Sequence, residues 1–168
     1  TRFTGGRLSV KVSETGTSYY NVFVDGKLHK VVKVCGTDTL IHLVSGIDKR
    51  IHSLKIQKRS EGEFGKTTIH QFVLSGSGRL AEEPAVRTRH IEFIGNSLTC
   101  GYGTDGKHRD EPFLVETENC NLTFASMVAR YYDADYTLIA HSGRGAARNY
   151  GDSVRVSKVT MKDRMLNT

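Results

Sequence analysis

Apolar and polar residues alternate from the first turns of the chain, with Leu8, Val10 and Val12 on one side and Arg7, Ser9, Lys11 and Ser13 on the other. This is the period of a β-strand with one wet face. Residues 19–24 repeat the pattern and run into Asp25-Gly26, a dipeptide that tolerates positive φ and favours a tight hairpin, which predicts a return strand over 28–34. Strands are predicted again over 40–44, 51–58 and 67–74, punctuated by Ser45-Gly46, Glu61-Gly62 and Gly65. Six short strands with no helical period between them predict an antiparallel β-sandwich of the jelly-roll kind over residues 1–75.

The pattern then changes. Residues 75–89, SGSGRLAEEPAVRTR, are polar and contain Pro84, and 76–89 is read as a linker. Beyond it, Ile91, Phe93 and Ile94 form a short β-prone run that Gly95 stops where Asn96 and Ser97 emerge. Asn119 is placed to cap a helix whose Leu122, Ala125, Val128, Ala129 and Tyr132 recur every three or four residues. A second strand is predicted over 136–140. Strand, helix and strand with a right-handed crossover place the two strands parallel and adjacent. Their carboxyl ends then bring Ser97 and the turn His141-Ser142-Gly143-Arg144-Gly145 to one edge, where open α/β sheets hold their ligands. The expected fold class is mixed: an antiparallel sandwich, then the start of an α/β domain with a parallel sheet over 90–168.

Composition alters this picture little. A chain of 168 residues has room for one domain or two small ones. The net charge of +6 comes from scattered lysines and arginines with no recognition motif, so no nucleic-acid partner is expected. No stretch approaches the length of a membrane span. Three cysteines cannot complete a disulfide framework, and spacing leaves open whether Cys100 pairs with Cys120. His29, His42, His52 and His70 fall on different predicted strands without metal-ligand spacing, and are read as surface or packed residues. The chain opens on Thr1 without methionine or an apolar leader, which is read as a processed or trimmed product.

Three chemistries compete for the shared edge. GYGTDGK, from Gly101 to Lys107, has the spacing of a phosphate loop, but His108 stands where a hydroxyl should hold magnesium and Pro112 interrupts the helix that should follow. Gly95-Asn96-Ser97-Leu98-Thr99 approaches a nucleophile elbow, but Thr99 replaces its second glycine. The third is a serine hydrolase of another geometry, with Ser97 as nucleophile and backbone amides near Ser97 and Gly143 holding the oxyanion.

The block Gly95-Asn96-Ser97-Leu98-Thr99 resembles the Gly-Asp-Ser-Leu block of the SGNH, or GDSL-type, hydrolases, and Ser142-Gly143-Arg144-Gly145 resembles their second block. Sandwich, linker, IEFIGNSLTCGYGTDG, helix and IAHSGRGAARNYGD in that order look like carbohydrate esterase family 2, two-domain enzymes that deacetylate plant cell-wall polysaccharides. GKTTIHQFVLSGSGRL is also similar to that family's sandwich. The resemblance implies an acetyl-enzyme on Ser97, an oxyanion hole from the Ser97 and Gly143 amides, and no metal or cofactor. It also implies an acetylated polysaccharide or oligosaccharide as partner and a secreted or periplasmic location. Tyr102, His141, Arg144 and Tyr150 are read as candidates for a substrate rim, with packing as the other reading for His141. Asn96 replaces the aspartate common in the superfamily, and an amide serves the same turn. The family's later blocks, with an oxyanion asparagine and the catalytic histidine, have no counterpart before Thr168. The chain is therefore read as the amino-terminal part of a hydrolase whose remaining domain supplies the base, and as inactive by itself. The alternative is a carbohydrate-binding or structural two-domain protein without catalysis; this chain lacks tryptophan but keeps Tyr19, Tyr20, Tyr102 and Tyr150 for such a role.

Overall fold

The computed structural model describes residues 1–165. By its internal contacts the chain divides into one unit of residues 1–58 and 64–86 and a second of 59–63 together with the chain from Arg87 onward. The first unit contains, in order, β1 (Arg2–Thr4), β2 (Arg7–Glu14), β3 (Thr17–Val24), β4 (Lys27–Cys35), β5 (Thr39–Val44), β6 (Ile51–Lys58), β7 (Thr67–Ser75) and β8 (Arg79–Ala81). They make two sheets, β4-β3-β6-β1-β8 and β5-β2-β7, in which the pairings are antiparallel.

Phe3, Val22, Val34 and Leu54 from the larger sheet meet Leu8, Val10, Val12, Leu43 and Val44 from the smaller in one buried cluster. Each such side chain contributes roughly 1.5–3 kcal/mol by leaving water. The alternation read in β2 puts Leu8, Val10 and Val12 inside; Ser9 is also buried, its hydroxyl 2.9 Å from Nδ1 of His42. Asp25 and Gly26, with φ of 51° and 76°, make the tight turn between β3 and β4. Two strands of three residues, β1 and β8, are too short to show a period in sequence. β8 lies within the stretch 76–89 read as a linker and pairs with β1, Leu80 opposite Phe3.

His52 on β6 is buried, and its two ring nitrogens lie 2.7 Å from Asp25 and 3.0 Å from Asp48. Both partners are carboxylate oxygens, so each ring nitrogen is placed to donate and the pair favours the protonated ring. Asp25 also accepts the Ser53 amide at 2.8 Å, which ties the hairpin turn to β6.

In the second unit, β9 (His90–Gly95) and β10 (Asp135–Ala140) pair in parallel, from His90 beside Asp135 to Gly95 beside Ala140. Between them lie the single turn α1 (Ser97–Cys100) and α2 (Phe124–Tyr131), and α3 (Met161–Met165) follows. The helix expected from Asn119 starts later than the sequence suggested. Asn119 caps a short 3-10 turn, Cys120–Leu122, by accepting the Asn121 amide at 3.2 Å. The Thr123 and Ser126 hydroxyls then donate to the Cys120 carbonyl at 2.9 and 2.7 Å, a side-chain solution that competes with continuous helix. The buried face of α2 is Ala125, Ser126 and Ala129, whereas Leu122, Val128 and Tyr132 remain substantially exposed. Small side chains on that face let the helix lie close, and Phe124 meets Phe93 of β9 edge-on with ring centres 6.2 Å apart. No helix among the described residues is long and apolar enough to cross a membrane.

Candidate active site

The site begins with the missing side chain at Gly95. A Cβ there would lie 2.1 Å from Oγ1 of Thr99, so the glycine lets the first turn of α1 fold back against the end of β9. Asn96, extended at φ −120° and ψ −152°, caps that turn by accepting the Leu98 amide at 3.1 Å. This delivers Ser97 as the first residue of α1, half-buried. Gly101, at φ 86°, ends the turn, and a Cβ on it would lie 2.4 Å from the Asn119 carbonyl. The threonine that breaks the nucleophile-elbow pattern is therefore accommodated by the first glycine of the block. The phosphate-loop spacing has a different use: Gly101 terminates α1, Gly106 donates to the Gly103 carbonyl at 2.9 Å, and no α-helix starts directly after Lys107.

The second turn leaves β10. Arg144 donates its amide to the His141 carbonyl at 3.2 Å, and Gly143 has φ 76° while Ser142 keeps negative φ, which makes residues 141–144 a type II turn. Nothing lies within 4 Å of where a Gly143 Cβ would be, so backbone conformation rather than space requires glycine. The Tyr150 amide donates to the Gly143 carbonyl at 2.9 Å and fixes the far side of that residue. Gly145 is held by crowding, since a Cβ would come within 2.0 Å of the Arg148 carbonyl.

Ser97 and Gly143 line one cleft of about 510 Å³, shared with Asn96, Tyr102, Arg144, Arg148 and Tyr150. Tyr150 is 93 % exposed; Tyr102 is half as exposed and stacks on Phe113 with ring centres 3.7 Å apart. Of the four residues expected on a substrate rim, Tyr102, Arg144 and Tyr150 lie along this cleft and His141 does not. Its Nε2 lies 2.5 Å from Glu63 and its Nδ1 2.9 Å from the Ser142 carbonyl, so both ring nitrogens are engaged. The His141 hydrogen bond, followed by the Arg164 and Arg144 charges, holds the Glu63 carboxyl below its ordinary range. Arg148, an exposed cation in the cleft, stands in a glycine-rich stretch with no periodicity to single it out.

Sequence reasoning also passed over residues 59–63, where Glu61-Gly62 read as a strand separator. Arg59 is buried at 3 % exposure, donates to the Glu118 and Glu116 carbonyls at 2.7 and 3.1 Å, and pairs with Asp105. Its own carbonyl accepts the Cys120 amide at 3.2 Å. The Glu61 amide donates to Oε2 of Glu118 at 2.8 Å, and the Glu61 carboxylate accepts the Ser142 amide at 2.8 Å and the Cys100 thiol at 3.5 Å. Partners 39 to 81 residues distant leave no local signature. Cys100 and Cys120 are both buried, and no disulfide joins them.

Donor atoms of Glu61, Cys100 and Glu118 lie within 4.8 Å of one another, a spacing compatible with a metal ion. Burial, and then the Glu61 and Glu118 charges, push the Cys100 thiol far up, so the sulfur keeps its proton and acts as a donor to Glu61.

Residues 1–84 match the carbohydrate esterase 2 N-terminal family. The chain is 36 % identical over 149 residues to the cellulase/esterase CelE of Acetivibrio thermocellus, covering 89 % of this chain and 18 % of that protein. It is 30 % identical over 152 residues to an acetylxylan esterase / glucomannan deacetylase of Cellvibrio japonicus, covering 89 % of this chain and 41 % of the relative. Among solved structures, a family two carbohydrate esterase from Clostridium thermocellum in complex with cellohexaose superposes with a TM-score of 0.85 at 35 % identity, covering 91 % of this chain and 47 % of that one. The chain thus spans less than half the length of these relatives. With residues 1–84, half of its length, matched to that family, the chain belongs to carbohydrate esterase family 2.

Proposed function

We propose that the chain is part of a serine esterase that removes O-acetyl groups from plant cell-wall polysaccharides such as xylan or glucomannan. The observation that carries this reading is the shared cleft: Ser97 and Gly143 leave two adjacent parallel strands and line the same space. Ser97 Oγ attacks the acetyl carbonyl carbon and gives its proton to a histidine supplied by sequence beyond residue 168. The Ser97 and Gly143 amides bind the oxyanion. The C–O bond to the sugar breaks as the sugar oxygen takes that proton, and water then adds to the acetyl-enzyme and releases acetate. No metal or cofactor takes part.

The names of the relatives support an acetyl ester on a plant polysaccharide as substrate. Apolar side chains left exposed on the second unit, Phe124, Met127, Tyr131 and Val156 among them, support further sequence packing there, as the remainder of the hydrolase domain. The sandwich takes in residues 1–58 and 64–86, β8 included, and the hydrolase domain of SGNH type begins at about residue 90. A polymeric substrate outside the cell makes the enzyme a secreted or periplasmic one.

In the full-length protein, Ser97→Ala abolishes hydrolysis of a soluble acetyl ester while the thermal transition is unchanged, because a half-buried hydroxyl contributes little packing. Retention of most of the activity refutes the assignment. A second reading, a cleft that holds a glucan chain without cleaving an ester, is favoured by the exposed Tyr150 and by the cellohexaose complex of the relative. Retarded migration of the Ser97→Ala variant in gels containing unacetylated glucan supports it, and loss of that retardation in Tyr150→Ala locates it.

A further inference from the structure

We propose that Glu61 is a positioning residue that sets the Gly143 amide relative to Ser97. The inference rests on the reading of Ser97 as nucleophile and of the Gly143 amide as oxyanion donor. In a type II turn the peptide joining the two central residues, here Ser142 and Gly143, is flipped relative to a type I turn, and it carries the Gly143 N–H. Whether that N–H points into the cleft is therefore decided by the turn type.

The turn is held on both sides. The Tyr150 amide binds the Gly143 carbonyl at 2.9 Å, and the Glu61 carboxylate accepts the Ser142 amide at 2.8 Å. The same Glu61 oxygen, Oε2, accepts the Cys100 thiol at 3.5 Å. Cys100 is the last residue of α1, one turn beyond Ser97. One carboxylate oxygen thus joins the turn that carries the nucleophile to the turn that carries the oxyanion donor.

Glu61 does not move freely. Its amide is bonded to Glu118 at 2.8 Å, and Arg59, two residues earlier, is buried among the Glu118 and Glu116 carbonyls and Asp105. Two residues on, Glu63 holds His141, the first residue of the turn, at 2.5 Å. Oxyanion stabilisation requires donors fixed before the reaction, and a fixed carboxylate on a backbone amide is a strong, directional way to fix one.

The test uses the full-length protein and a soluble acetyl ester, with Ser97→Ala as reference. Glu61→Ala, if folded, is expected to lower kcat by about 10²-fold, the scale of a 1 Å displacement in a catalytic constellation, with KM within twofold. Glu61→Gln restores most of that loss, because an amide oxygen still accepts the Ser142 N–H. A folded Glu61→Ala with kcat within twofold of the parent, or a lower kcat/KM that comes from KM alone, overturns the proposal. Where Glu61→Ala does not fold, Glu61→Gln decides: a roughly fivefold lower kcat at unchanged KM is expected from the weaker neutral bond, and no loss overturns it. Full activity in Ser97→Ala would instead sink the esterase reading on which the proposal rests, so the two failures are distinct.

Discussion

Gly95→Ala tests the link between packing and chemistry most directly. The backbone at Gly95 is outside the positive-φ region, so the substitution is decided by space. Its Cβ would lie 2.1 Å from Oγ1, 2.9 Å from Cβ and 3.6 Å from Cγ2 of Thr99, where ordinary contact begins at 3.4 Å. Thr99 is only 2 % exposed and its branched side chain is short, so rotation about χ1 moves Oγ1 but leaves the Cβ contact in place. The end of β9 and the single turn of α1 must therefore separate, and overpacking of this kind costs about 1–3 kcal/mol. Because α1 carries Ser97, a displacement approaching 1 Å also lowers kcat by about 10²-fold. Urea unfolding gives the first quantity, and acetyl ester turnover by the full-length protein the second. Thr99→Ala added to Gly95→Ala removes the 2.1 Å contact and is expected to recover part of both losses, a non-additivity that marks direct contact. An unchanged urea midpoint and unchanged kcat for Gly95→Ala would refute the reasoning.

Two further outcomes are expected. The bonds to Asp25 and then Asp48 raise the His52 pKa above 6.5, so its stabilisation is complete below the unfolded value and is lost as pH rises through the folded one. The side-chain bond from His52 lowers Asp25, and bonds from Arg50 and then His52 lower Asp48. The carboxylate contribution is therefore complete above 3.8 and lost as pH falls through the folded values. Urea midpoints measured across pH should decline on both flanks, and His52→Gln should flatten the alkaline flank; an alkaline flank unchanged by the substitution contradicts the assignment. Asn96→Ala should cost about 0.5–2 kcal/mol through loss of the cap, while Asn96→Asp, which keeps an acceptor for the Leu98 amide, should retain stability and esterase activity in thermal-shift and turnover measurements.

The sequence alone determined the parts of this protein whose physics is local. Alternation of Leu8, Val10 and Val12 requires a sandwich strand because successive side chains point to opposite faces. Asp25-Gly26 requires its hairpin because those residues accept positive φ. Ile91, Phe93 and Ile94 followed by Gly95-Asn96-Ser97 mark a strand that ends on a hydroxyl, and the glycine-rich turn after β10 follows by the same logic. Tertiary structure decided what depends on groups far apart in the chain. β1 and β8 are too short to carry a period, and they exist because each has a neighbour to pair with. The start of α2 moved from Asn119 to Phe124 because hydroxyls of Thr123 and Ser126 claimed the Cys120 carbonyl, and its buried face fell on alanines rather than on the larger apolar residues. The place of His141 was decided by Glu63, 78 residues earlier, which offered its ring a carboxylate. Glu61 is the clearest case: in sequence it is one more charge beside a glycine, and only the fold sets it against the amide of Ser142 and the thiol of Cys100, since hydrogen bonds depend on position and direction, which one-dimensional order does not encode.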